Sequence, residues 1–164
     1  MPSFTNVQMA ARALEISIQL NNRELREACR EVLSSVSKDS LEEDDPGVGV
    51  IGQGARALLR LPPQEVPEDL DEVLRRAQDV FGDDPWAVQS LFELRIELAK
   101  RDPERRAQLE REQKDALLSA AKSAPNVFLK HRFLEEAIGL LNTRNAPAEE
   151  SHPHASLNDQ APVG

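Results

Sequence analysis

Gly47, Gly49 and Gly52 reproduce the G-x-G-x-x-G spacing that lets a backbone approach a pyrophosphate and turn helix N–H groups towards it. The residues just before them, LEEDDP, put four carboxylates and a proline where that chemistry needs an apolar strand, and their charge repels phosphate. No G-K-[ST] follows, so the glycines read as part of a flexible connector. The three histidines make no ligand set. His152 and His154 form an H-P-H in a polar tail, whereas a fixed metal site needs ordered backbone. His131 falls on a helical wheel among Val127, Leu134, Ile138 and Leu141, which predicts a core-edge imidazole bonded to a neighbour, with a pH-sensitive contact as the alternative.

Cys29 is the only cysteine. It can form no intramolecular disulfide, which fits a reducing compartment and a structural thiol. The chain has no G-x-S-x-G, no H-E-x-x-H and no C-x-x-C. Its many carboxylates fall on polar helix faces, where charge runs are solvated surface. No catalytic, cofactor-binding or metal-ligating residue is therefore assigned, and no cofactor is expected. An enzyme built from scattered Glu, Asp and Arg stays open as an alternative without a signature.

With 20 basic and 29 acidic residues the chain carries a net charge of −9. Its overall field repels phosphate backbones and anionic lipid heads, so non-specific nucleic-acid binding is disfavoured. Residues 104–164 are the least acidic part. No apolar run approaches the ~18 residues a membrane span needs, and MPSFTNVQMAARALEI lacks a basic segment followed by an apolar one. A cytoplasmic protein with no membrane contact is expected.

The elements that must position any site are helices, because apolar residues recur at a period of 3.6 and never alternate over a sustained stretch. Thr5 or Asn6 caps a first helix to about Leu20. Asn22 caps a second, with Leu25, Cys29, Val32 and Val36 on one stripe. KDSLEEDDPGVGVIGQG then marks the connector, and a short helix from Ala55 to Leu61 follows. A fourth helix buries Leu70, Val73, Leu74, Ala77, Val80 and Phe81 and stops at Gly82. Asp84-Pro85 and Asp102-Pro103 each supply a capping carboxylate and a first-turn proline, starting a fifth helix to about Arg101 and a sixth that Pro125 ends. Asn126 caps a seventh to about Asn142. The expected fold is an all-α irregular bundle of about seven helices, with helical-hairpin packing as an option. It forms one domain over 1–143, made of a hairpin at 6–36, a connector at 37–54 and a bundle at 55–143, followed by a disordered tail at 144–164.

Three helices carry more apolar surface than simple amphipathicity requires. The first has Val7, Leu14 and Ile18 on one side and Met9, Ile16 and Leu20 on another. In the fifth, apolar residues from Ala87 to Ala99 span an arc of roughly 200°. Arg95 lies inside that arc and must find a carboxylate or helix C-terminal carbonyls, as a structural pair or, alternatively, for partner recognition. Trp86 lies on the polar side of the same helix, where it covers the helix N-terminus or anchors an interface. The seventh has one stripe of Val127, Leu134, Ala137, Ile138 and Leu141 and an adjacent one of Leu129, Phe133 and Leu140. The sixth is a charged rod with a narrow stripe from Leu109 to Ala124.

Residues 7–36, two short helices with small residues at Ala10, Ala13 and Ala28, resemble one helical hairpin of the tetratricopeptide kind. DEVLRRAQDVFGDDPWAVQSLFELRIELAKRDPERRAQLEREQKDAL, residues 71–117, is similar to a helical segment of the type III secretion gatekeeper proteins. That resemblance implies a regulator of export acting through chaperones and the export apparatus.

The residues themselves point to a non-enzymatic α-helical protein-protein interaction module: an adaptor, chaperone or assembly factor. Its partner is a protein or a second copy, bound through Trp86, Leu129, Phe133 and Leu140. The alternatives are the gatekeeper-like regulator and a nucleic-acid-associated regulator using Lys122, Lys130, Arg132 and Arg144.

Overall fold

The computed structural model describes residues 4–42 and 47–145. Among them, seven α-helices and one 3-10 turn follow in order, with no strand: α1 Phe4–Gln19, α2 Arg23–Leu41, α3 Val48–Leu58, the turn Pro63–Glu65, α4 Leu70–Val80, α5 Pro85–Leu98, α6 Pro103–Ser123 and α7 Val127–Asn145. The all-α expectation holds. Residues 146–164, most of the expected tail, lie outside the described residues.

In place of the single domain expected over 1–143, the chain divides into two compact units, Met1–Arg111 and Glu112–Gly164. The cause is where the apolar side chains collect. One buried cluster draws on α1 to α5, from Val7 to Leu94. A separate one holds Leu117, Ala121, Phe133 and Ala137, with Leu129, Leu134 and Leu140 packed against it. Residues of the sixth helix fall in both units, so its stripe is not continuous in role.

The helix ends follow the capping chemistry read from the sequence. Asn22 Oδ1 accepts from the Leu25 N–H at 3.1 Å, and Asp84 Oδ1 accepts from Trp86 and Ala87 at 3.1 and 3.2 Å. Asp102 Oδ1 accepts from Arg105, and Asn126 Oδ1 from Leu129 at 2.9 Å. Between α1 and α2 the chain turns at Asn21, the only described non-glycine residue with positive φ, at 51°. The Asn21 N–H donates to Ile18 O and the Asn22 N–H to Ser17 O, a Schellman closure that an asparagine tolerates in the left-handed region. At the other end of α1, Thr5 and Asn6 lie inside the helix instead of capping it.

The connector expected over 37–54 is corrected. Helix α2 continues through Leu41, and α3 already covers Val48–Leu58. Glycine is a poor helix former in isolation, but here its missing Cβ is what lets two helices approach. A Cβ on Gly54 would stand 2.8 Å from Ser37 Oγ of α2. Gly52 and Gly54 are buried, and Gly47 is the N-cap residue.

The buried stripe of α2 is also rotated from the one expected. Cys29, Leu33, Ser37, Ser40 and Leu41 are buried, while Leu25 and Val32 are exposed. Small serines reach the core because Ser37 Oγ is satisfied locally, donating to Leu33 O at 2.9 Å. Burial pushes the Cys29 thiol up from its ordinary value, which keeps it in the unreactive, protonated form.

Candidate functional site

In the first unit, α5 packs against α3 and α4. Its wide apolar arc is occupied on several sides, with Ala87, Leu91, Phe92 and Leu94 buried. Arg95 is 3% exposed and meets the expectation that it finds a carboxylate. Its Nε donates to Asp71 Oδ1 at 2.8 Å, one terminal nitrogen donates to Asp71 Oδ2, and the other to Gln78 Oε1 at 2.7 Å. Arg105, at the start of α6, donates to Asp71 Oδ2 at 3.1 Å. One carboxylate on α4 thus serves two guanidiniums, and the fork geometry of arginine makes the Arg95 contact two-pronged. Burial pushes the Asp71 carboxyl up, but the hydrogen bonds and charges of Arg95 and Arg105 outweigh it and hold it below the ordinary carboxylate range. An acid so stabilised in its ionised form is shifted away from the near-neutral value that proton transfer favours. The network borders a pocket of about 370 Å³ with Pro67, Glu68, Leu98 and Asp102 on its wall. Two of those neighbours are further carboxylates, so the pocket offers no net field for an anion.

Trp86 stands at the first turn of α5 and is 43% exposed. It flanks a pocket of about 230 Å³ lined by Gly49, Gly52, Arg56, Ala87 and Ser90. Small residues share this lining with Leu91, Leu94, Asp84 and the Arg56 guanidinium, and a tryptophan stands at its edge, where an exposed aromatic can anchor a partner.

The second unit gives the clearest departure from the sequence expectation. Leu129, Phe133 and Leu140, expected to form the partner-binding face, turn inward: Phe133 is 3% exposed, and Leu129 and Leu140 are half-buried against the same cluster. They pack with Leu117 and Ala121 of α6. The other stripe is divided: Ala137 is buried in the same cluster and Leu134 is half-buried against it, while its remaining members stand in water. Val127 is 82% exposed, Ile138 56% and Leu141 41%, and Phe128 beside them is 78% exposed. His131 shares this outward side. Contrary to the core-edge expectation it is exposed, with Nε2 3.1 Å from Glu135 Oε1 one turn on. Sequence periodicity shows that α7 has two apolar stripes. Only packing shows which one is covered, and Phe128 escapes notice because it belongs to neither.

Of the basic residues considered for nucleic acid, the Arg144 side chain lies outside the described residues and Lys122 is on α6. Lys130 and Arg132 are both exposed, but two residues apart on a helix they point about 200° from each other. Among the described residues, no group of three or more His, Cys, Asp or Glu side chains is placed to hold a metal ion. No described helix is long and apolar enough to cross a membrane.

The fold and these surfaces define an all-α chain with two separate buried clusters and an apolar helix face left in solvent. No protein-family model, no curated protein and no solved structure matches it.

Proposed function

We propose that the chain is a non-enzymatic α-helical protein-protein interaction module, an adaptor, chaperone or assembly factor acting in the cytoplasm. The observation that carries this reading is the set of exposed apolar side chains of α7: Val127, Ile138 and Leu141 on one side, and Phe128 next to them, stand in water on one helix. Large apolar side chains gathered in this way mark interaction surfaces, whereas isolated ones are ordinary. The Trp86 pocket supplies a second, smaller anchor point on the other unit. The Asp71 network supports a non-catalytic reading, since both of its arginines are committed to one carboxylate. The gatekeeper-like alternative rests on the resemblance of residues 71–117. Those residues hold the Asp71, Arg95 and Arg105 network.

The test is retention of partners by the tagged chain in its native host after brief cross-linking. The double variant Val127→Asp, Ile138→Asp is expected to lose the proteins that the natural chain retains, at unchanged helical content. Equal retention by both would remove the basis for the proposal.

A further inference from the structure

The outward residues of α7 have a specific spacing. Val127, His131, Ile138 and Leu141 are exposed, and Leu134, half-buried against the inner cluster, lies at the edge between them; the five follow one another at steps of four, three, four and three, the alternation of the a and d positions of a coiled-coil seam. Setting His131 and Ile138 at a, and Val127, Leu134 and Leu141 at d, fixes the flanks. Lys130 and Ala137 occupy g; Phe128 and Glu135 occupy e. Lys130 and Glu135 are both exposed.

This pattern is complementary to itself in one orientation. In a parallel, in-register pair the g residue of one helix meets the e residue five positions on in the other, so Lys130 faces Glu135 of the second copy, twice by symmetry. In the fully overlapped antiparallel pair the two Glu135 carboxylates face each other instead. The outward residues of α1, Met9, Ile16 and Leu20, lack such a counterpart: Arg12 on their flank would meet Ser17, which is buried.

Resting on the reading of the α7 face as an interaction surface, we infer that its occupant is a second copy of this chain, paired through α7 in parallel and in register. His131 then sits at an a position, where one polar side chain sets register and strand number at some cost in stability. Two heptads, about 22 Å of helix, make a short seam. Isolated peptides of that length associate poorly, but the inner stripe of α7 is already held by its own cluster, so the helix does not have to form on pairing.

Sedimentation equilibrium on the full chain, from about 1 to 200 µM, is the range for so short a seam. The natural chain should dimerise, and Lys130→Glu alone, or Glu135→Lys alone, should weaken the dimer about fivefold by setting like charges opposite. Lys130→Glu combined with Glu135→Lys should return it to within about twofold. Under mild oxidation Leu141→Cys should link to its own counterpart, which only the parallel pair brings together. The natural chain, whose single thiol at Cys29 is buried, should not. A monomer throughout that range, a dimer indifferent to the single charge changes, or no link at position 141 overturns the inference. If the chain stays monomeric while Val127→Asp with Ile138→Asp still abolishes retention of a host protein, the interaction-face proposal survives and the self-pairing fails.

Discussion

Helices α5 and α7 carry apolar arcs of similar breadth, yet the two units treat them oppositely. Around α5, neighbours from α3 and α4 take up the arc, and the one charge inside it, Arg95, is met by Asp71 and Gln78. Around α7, Phe133 and Ala137 close on α6, while Val127, Ile138, Leu141 and the neighbouring Phe128 stay in water, Val127 and Phe128 more than three quarters exposed. A wide apolar arc is therefore not by itself a sign of burial or of binding. What decides is how many helices are present to cover it, and the second unit has only the end of α6 and α7 among its described residues.

The contrast can be broken first at Phe133. Truncation to Ala removes the largest member of a small cluster, and a loss of about 3–4 kcal/mol is expected, read as unfolding of the second unit at lower denaturant while the first holds. If both stripes of α7 were equivalent, Ile138→Ala would cost as much.

Next in size is the Asp71 network. Asp71→Asn leaves the Arg95 charge buried with only neutral partners and should cost about 2–3 kcal/mol, below the full penalty for a deeply buried pair because Asp71 is itself a third exposed. Arg95→Met should cost less, since Arg105 still serves Asp71. Chemical denaturation of the two variants side by side gives the ordering, and the reverse order would contradict the account. The same network fixes the sign of a pH effect. A carboxyl whose folded value is lowered stabilises the fold above its unfolded value, about 3.9, and that contribution is lost as pH falls through the lower folded value. Acid unfolding of the natural chain should be steeper below about pH 4 than that of Arg95→Met with Arg105→Gln.

Smaller still is Gly54→Ala. With Ser37 Oγ only 2.8 Å from the new Cβ, the α2–α3 contact must open, at about 1–2 kcal/mol. Adding Ser37→Ala should recover most of it, which melting temperatures of the single and double variants will show. The smallest effect belongs to Ile138→Ala, within about 0.5 kcal/mol of the natural chain, because the side chain is already in water.

Much of this was legible without coordinates. Asn22, Asp84, Asp102 and Asn126 act as caps because capping is local chemistry, set by a side chain and the three residues after it. Arg95 announces its need for a carboxylate by lying inside an apolar arc. The departures are all tertiary. A glycine run reads as a connector until Ser37 is seen against Gly54. The choice between the Phe133 and Ile138 stripes depends on the position of Leu117 and Ala121, which no spacing within α7 encodes. His131 is exposed for the same reason, since it lies on the side of α7 that the α6 residues do not cover.

Phe133 lies in the cluster between α6 and α7, Ile138 stands in water, and we propose that the exposed side serves association. Phe133→Asp and Ile138→Asp test it most directly when each variant is followed by thermal unfolding and by sedimentation of the same sample. Phe133→Asp should unfold the second unit. At dilutions where the natural chain is monomeric, Ile138→Asp should keep its unfolding temperature within about 2 °C, a shift expected of a neutral surface change; at higher concentrations it should lose the associated species and the stabilisation that association adds. An Ile138→Asp chain that unfolds like Phe133→Asp, or that associates as the natural chain does, contradicts the account.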